Sequence, residues 1–486
     1  MRLKHLLLLA LIIPSFTHAQ AFYKQGYFVV KGQINNFKKE FIDFDLTTYL
    51  GHESGSIRIK PNGSFEQKIP VQNRQSFSLT LNNKFFTLTA FDKDTLYLNW
   101  DDADFENGFS IKGKNDFRTK ELEVEAQLLL KFQPDIINLL KHLYEDAKRL
   151  TPEQQFEMVN ALYNQHVKAL FASADFFSVT LDHLITGLYF QYSRLLWKQR
   201  LLPQFKLKLS LDSTREYPYF DVSNSSHDYT LLTKDWFWNI PEYRDFIYDY
   251  VRFYKPFHGY RGSLPADQKP FNPTLDEYYL AQSCFFDIDI RDWFITRSII
   301  DGFGHYPFID VEKVYQQYIN TCTTPYLKDT LQKYYTDIKR LEPGNPAPGF
   351  SLKNNKGQIV SLNDFKGKVI YIDFWGVGCG PCIYDIKNHV PDLHKKYKDK
   401  EVVFINICVD ANDNEWKEAL GKYDLDGINL IAEGWSNNPV CKAYNVRGIP
   451  HYILIDKNGK IANNNAPRAS ELNAVHGKNQ IDLLLE

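Results

Sequence analysis

Apolar side chains alternate with polar ones through much of residues 26–115, as in Ser76–Leu81 and Thr95–Asn99, which is the period of half-buried strands. Pro61-Asn62-Gly63, between Ser56–Lys60 and Ser64–Ile69, predicts a hairpin turn. Several short strands at this spacing predict a small antiparallel β-sandwich. From about residue 117 to 341 the period becomes helical. Thr151-Pro152-Glu153-Gln154 reads as a capping box with proline at the first helical position, and Thr274-Leu275-Asp276-Glu277 repeats the device. The stretch Lys234–Lys255 is crowded with aromatic residues at helical spacing, which predicts core packing ahead of a docking groove.

Residues 342–349, Glu-Pro-Gly-Asn-Pro-Ala-Pro-Gly, predict a linker, because three prolines and two glycines forbid regular structure. Beyond it strand and helix patterns alternate. Phe350–Leu352 and Ile359–Leu362 flank an Asn354-Asn355-Lys356-Gly357 turn. A strand at 369–374, a helix from Cys379-Gly380-Pro381-Cys382 to about Lys398, a strand at 402–409 and a helix over 414–423 follow. A hairpin then joins His451–Ile455 to Lys460–Ala462 through Asp456-Lys457-Asn458-Gly459, and a closing helix spans about 470–485. Such alternation implies a mixed sheet covered on both faces. The expected chain is multidomain: an N-terminal antiparallel β-sandwich (26–115), a central α-helical region (116–341), the linker (342–349) and a C-terminal α/β domain (350–486).

A length of 486 residues, 44% hydrophobic and 24% charged, is that of a multidomain globular protein. The net charge of -2 and the lack of a Lys/Arg stripe exclude nucleic acid as an expected partner. Residues 1–19 read as a secretory signal: Arg2, Lys4 and His5, an apolar run from Leu6 to Ile13, Pro14, and a small residue at Ala19. With no cysteine at the cleavage point to carry a lipid, the mature chain is expected from Gln20 in the periplasm, soluble or peripherally attached to a membrane. Six cysteines are too few for a disulfide-stapled scaffold. Cys408 and Cys441 sit in core-like patterns, and a Cys284–Cys322 bridge stays open.

Chemistry concentrates in Ile372-Asp373-Phe374-Trp375-Gly376-Val377-Gly378-Cys379-Gly380-Pro381-Cys382. A strand running through a glycine loop into Cys-x-x-Cys puts the first cysteine at a helix start, where free N–H groups and the helix dipole favour the thiolate. Lowering its pKa from ~8.5 to ~7 raises the ionised fraction at pH 7 from a few per cent to roughly half. Cys382, two residues on, is placed to attack the mixed disulfide. Zinc needs two further ligands, and His389 and His394 lead away from the pair; neither a metal nor a cofactor is expected.

Asp-Phe-Trp ahead of Cys-Gly-Pro-Cys, the later Arg447-Gly448-Ile449-Pro450 and the opening Pro346-Ala347-Pro348-Gly349-Phe350-Ser351-Leu352 carry a resemblance. Over roughly residues 343–486 the chain resembles the thioredoxin fold, in particular exported thiol-disulfide oxidoreductases of the TlpA/ResA kind. The resemblance implies Cys379 as nucleophile, Cys382 as resolving thiol, and Asp373 and Asp385 as acids serving Cys382. It also implies a substrate-binding surface of Trp375, Gly380, Pro381, Ile449, Pro450 (matching the cis-proline of the fold) and His451. Two departures stand out: Gly378 where relatives usually have tryptophan, and His451 in place of threonine, where an imidazole adds charge near the thiolate at mildly acid pH or faces solvent.

The function implied is reduction of disulfides in exported proteins, among them apocytochromes awaiting haem in cytochrome c biogenesis, with electrons from a membrane-embedded donor. Two other readings are a thiol peroxidase of the same fold, and a binding or scaffold protein using residues 26–340 with the redox pair secondary.

Overall fold

The computed structural model describes residues 25–37, 40–81, 84–145, 149–173, 179–198, 234–254, 273–285, 287–475 and 477–486. The expected signal at 1–19 and Lys255 lie outside the described residues. Two compact units are formed: Met1–His52, Ile57–Ser298 and Cys322–Leu327 in one, Glu53–Ser56, Ile299–Thr321 and Lys328–Glu486 in the other. The second unit thus gathers helical segments from ahead of the 342–349 stretch.

Eight N-terminal strands are β1 (Gln25–Asn35), β2 (Phe41–Thr48), β3 (Gly51–Arg58), β4 (Ser64–Gln72), β5 (Arg74–Leu81), β6 (Lys84–Phe91), β7 (Thr95–Asp101) and β8 (Ser110–Lys112). They make two four-stranded sheets, ordered β4-β1-β7-β8 and β3-β2-β5-β6. One apolar cluster draws on both, with Phe28, Val30, Phe77, Leu79 and Leu98 among its buried members. Two expectations are corrected. The arrangement is not wholly antiparallel, since β1 and β7 run parallel. Pro61-Asn62-Gly63 does turn the chain, with Gly63 at φ 81° and its N–H donating to the Lys60 carbonyl. However, β3 and β4 belong to different sheets, so the turn passes between sheets instead of closing a hairpin.

The helices that follow include Asp116–Glu145, Pro152–Ser173 and Val179–Lys198. Thr151 and Gln154 cap each other reciprocally, each backbone N–H donating to the other's side-chain oxygen. The second expected box is displaced: its helix begins at Pro273, which puts Thr274 inside it. In Lys234–Asn239 and Pro241–Tyr254 the aromatic residues Phe237, Trp238, Tyr243, Phe246 and Tyr248 are buried as core. The Cys322 Sγ lies 3.7 Å from Asp292 Oδ2, while the Cys284 side chain lies outside the described ones.

In the second unit β9 (Ser351–Asn354), β10 (Ile359–Ser361), β11 (Val369–Trp375), β12 (Val402–Cys408), β13 (Ile428–Ile431), β14 (His451–Ile455) and β15 (Ile461–Asn463) form one mixed sheet, ordered β10-β9-β13-β12-β11-β14-β15. β11 is central, parallel to β12 and antiparallel to β14, and all seven of its residues are buried. Covered faces explain its unbroken apolar run, each buried Ile or Phe stabilising by about 1.5–3 kcal/mol.

Two expected helices are each split. The one after the cysteines becomes Gly380–Asn388 and Val390–Tyr397, broken at His389 (φ -132°) just ahead of Pro391, which has no N–H to continue the ladder. The closing helix becomes Ala469–Ala474 and Gln480–Leu485, separated by Gly477 at φ 104° and restarted by an Asn479 cap. Cys408 and Cys441 are buried core residues, as expected.

Candidate active site

Strand β11 ends in Trp375, and the loop 376–378 leads to Cys379 at the N-cap of the Gly380–Asn388 helix. The Cys379 Sγ accepts from the Cys382 N–H at 3.2 Å, the contact an N-cap side chain makes and one that would favour a thiolate there. Cys379 and Cys382 are joined by a disulfide, with Cα atoms 5.3 Å apart. Their exposures differ in the sense exchange needs: Cys379 keeps 9% of its surface and Cys382 none.

The approach loop is held by Asp410, just past the end of β12. Asp410 Oδ1 accepts from the Val377 N–H at 2.7 Å and Oδ2 from the Gly378 N–H at 3.0 Å. Burial raises its pKa, and those two N–H groups oppose the rise. A Cβ on Gly376 would lie 2.3 Å from Asp410 Oδ2 and 2.7 Å from Ile449 Cδ1, so any other residue there must push the Asp410 carboxylate off the loop it holds or displace Ile449. At Gly378 the nearest such atom is Asp410 Oδ2 at 3.4 Å, an ordinary contact, so that glycine leaves the rim open without being required.

The strand before the pair and the helix that carries it each hold a buried carboxyl group. Asp373, on β11, has its pKa pushed up to about 8 by burial first and the neighbouring Asp385 second, against a lowering by Arg468. It is therefore mostly protonated at neutral pH, and its Oδ1 has no hydrogen-bond partner among the described residues. Asp385, one turn beyond Cys382, is 1% exposed, and its Oδ2 accepts from Arg468 Nε at 2.7 Å and Tyr452 Oη at 3.0 Å. Arg468 also reaches the Pro381 carbonyl between the cysteines, Nη2 donating at 3.3 Å.

Arg468 owes its place to neighbouring contacts. The Tyr371 hydroxyl donates to the Pro467 carbonyl at 2.7 Å, the Ala466 N–H donates to the Tyr452 carbonyl at 2.9 Å, and the Arg468 N–H is capped by Glu471 at 2.9 Å. Sequence reasoning missed Arg468, Tyr452 and Asp410. Only Asp410 had a signal, its position past the carboxyl end of a parallel strand, where α/β sheets place their sites.

The Ile449–Pro450 peptide is cis, in agreement with the expectation. Ile449 lies outside the β-ladder, which starts at His451 opposite Phe374. Gly380 is open on its Cβ side. Two expected roles are corrected. Trp375 is fully buried in the same apolar cluster as both cysteines, so it supports them from below and offers no face to a substrate. His451 brings no charge at mildly acid pH, because burial, with help from His305, holds its pKa down to about 4.

Residues 342–476 match the Redoxin family. The thiol-disulfide oxidoreductase ResA of Bacillus thuringiensis subsp. konkukian (strain 97-27) is 35% identical over 130 residues, 27% of this chain and 73% of that protein. ResA of Bacillus subtilis (strain 168) is 31% identical over 122 residues, 25% of this chain and 65% of that protein. A crystal structure of a thiol-disulfide oxidoreductase from Bacteroides vulgatus is 36% identical and covers 30% of this chain and 99% of that one, with a TM-score of 0.27. Through its C-terminal region the chain belongs to the redoxin family of thiol-disulfide oxidoreductases. It is an oxidoreductase enzyme with a thioredoxin-like C-terminal domain.

Proposed function

We propose that Cys379 and Cys382 are the redox-active pair and that the protein reduces disulfides in exported client proteins. The observation that carries this reading is the graded burial of the pair above a neutral carboxyl: Cys379 reachable, Cys382 enclosed, Asp373 with a pKa of about 8. In the reduced protein the Cys379 thiolate attacks one sulfur of a client disulfide. The first client sulfur leaves as a thiolate and takes a proton from water. Cys382 then loses its proton toward the Asp373 carboxylate, directly or through one water, and attacks Cys379 Sγ. The second client sulfur departs as a thiolate and takes its proton from water, so the client has gained two electrons and two protons while the enzyme pair has become a disulfide. A protonated Asp373 beside the disulfide is the state this sequence ends in.

Arg468 and Tyr452 act as positioning residues: they hold the Asp385 carboxylate, whose charge helps keep Asp373 basic enough to accept the proton.

Turnover in an oxidising compartment needs a reductant, for which a membrane-embedded electron donor is the proposed partner. The secretory signal at 1–19 supports export to the periplasm, and apocytochromes awaiting haem are one client class of suitable chemistry. The two N-terminal sheets sharing one core are read as a β-sandwich. Cys382→Ser should arrest exchange as a Cys379-linked mixed disulfide with the client. Recovery of no cysteine-linked client from that variant would overturn the reading.

A further inference from the structure

A cleft of about 1080 Å³ lies wholly within the second unit, and its lining includes the cis Ile449–Pro450 peptide and Arg468. One wall is the redoxin domain itself: Ile449, Pro450 and His451, then Asn463 to Arg468. Arg468 links this wall to the cysteines through the Pro381 carbonyl. The opposite wall comes from ahead of the family match, which begins at residue 342. It consists of the end of the Ile288–His305 helix, the Tyr306-Pro307 turn and Tyr334 of the Pro325–Lys339 helix.

The lining chemistry restricts the occupant. The volume stands at the upper end of pockets for small ligands, which run to roughly 1,000 Å³. Rings of Tyr306, Phe308, Tyr334 and Tyr444 give it apolar faces. The Asn464 and Asn465 carboxamides have no side-chain hydrogen bond among the described residues, and each offers both donors and acceptors, as peptide groups require. The His305 Nδ1 donates to the Asp301 carbonyl at 2.7 Å, and the His451 Nε2 has no hydrogen-bond partner among the described residues. Of the two guanidiniums in the cleft, that of Arg468 is engaged by Asp385 and that of Arg447 lies over the Tyr334 ring at 4.4 Å. Asp301, Glu342 and Glu471 line the same cleft, so its charge does not single out a small anionic disulfide.

We propose that this cleft is the client-binding site, with the helical segment before the redoxin domain as its selective wall, and that it takes an extended polypeptide with aromatic side chains flanking its cysteine. The inference rests on the exchange reading above. It gives the extension a task in catalysis, choosing which disulfide reaches Cys379. Aromatic rings on both partners supply the contact area, and carboxamides meet the client's main chain irrespective of its direction.

Gly304 supplies the test. It lines the cleft, and a Cβ there would meet nothing within 4 Å, so Gly304→Trp adds bulk at the cleft with no clash at its Cβ, and an unchanged thermal unfolding midpoint is the check on the fold. Reduction by the full chain is measured on four probes: a disulfide-linked peptide with phenylalanine on each side of its cysteine, the same peptide with serines, glutathione disulfide, and hydroxyethyl disulfide. The wild type should prefer the phenylalanine peptide over the serine one by about tenfold in kcat/KM, through KM, and Gly304→Trp should erase that preference. Equal rates for the two peptides, an aromatic preference that survives Gly304→Trp, or a preference for glutathione disulfide over the aromatic peptide would overturn the cleft assignment alone. A wild type inert toward hydroxyethyl disulfide as well would overturn the exchange reading and this inference with it.

Discussion

Arg468 donates to the Asp385 carboxylate at 2.7 Å and, through a second nitrogen, to the backbone between the two cysteines at 3.3 Å. These residues are 83 positions apart in the chain, yet together they set the field around the exchanging sulfurs. The charge on Asp385 raises the pKa of Asp373, and Arg468 tempers it.

Replacing the guanidinium should therefore move a titration. In Arg468→Gln the lowering influence on Asp373 is lost, so its pKa rises above about 8 and the pH profile of client reduction shifts to the alkaline side. Loss of a charged hydrogen bond to a buried carboxylate should also cost about 1.5–3 kcal/mol of stability, read by denaturant unfolding. An unshifted pH profile would leave Arg468 with a structural role only.

Asp373 should leave a signature in the stability of the oxidised protein. Its pKa is raised from 3.8 to about 8 on folding, so between those values the folded state holds a proton the unfolded state has released. Stability should fall as pH rises through that window and level off above it, and Asp373→Asn should flatten the slope. The same variant should slow the resolving step by about 10²–10⁴-fold, measured as longer-lived mixed disulfide in rapid-quench experiments.

The two glycines before Cys379 should respond oppositely to a methyl group. Gly376→Ala forces a Cβ against Asp410 and Ile449 and should cost about 1–3 kcal/mol. Gly378→Ala should cost less than about 0.5 kcal/mol, since its nearest contact is ordinary. Thermal unfolding of the two variants side by side checks the contrast.

Asp410→Ala should destabilise the approach loop by about 2–4 kcal/mol, because two N–H groups lose a carboxylate acceptor at once. Faster amide hydrogen exchange at Val377 and Gly378 would be the local readout.

What the sequence made legible was local. A strand, a loop and Cys-x-x-Cys within a dozen residues announced the exchange pair, and Asp373 stood out as the one carboxyl in an apolar strand. Contacts fixed by distant pairing were hidden. Nothing around Arg468 in the chain indicates that the Tyr371 hydroxyl and Glu471 hold it against Asp385. Trp375 looked like a surface residue because it adjoins the cysteines, but it packs into the apolar cluster between the sheet and the helix that follows, which buries it. Asn62-Gly63 was read correctly as a turn, while the sheet each flanking strand joins depends on partners far along the chain. Pro391 was a visible helix breaker whose effect at His389 went unread.

The most direct measurement of the central claim is alkylation of the reduced full-length protein with iodoacetamide across pH, with each cysteine followed by peptide mass spectrometry. Cys379 should react first, with an apparent pKa well below that of an ordinary thiol, while Cys382 stays protected by burial. Labelling of Cys382 at the same rate as Cys379, or a Cys379 that ionises only in the ordinary thiol range, would contradict it.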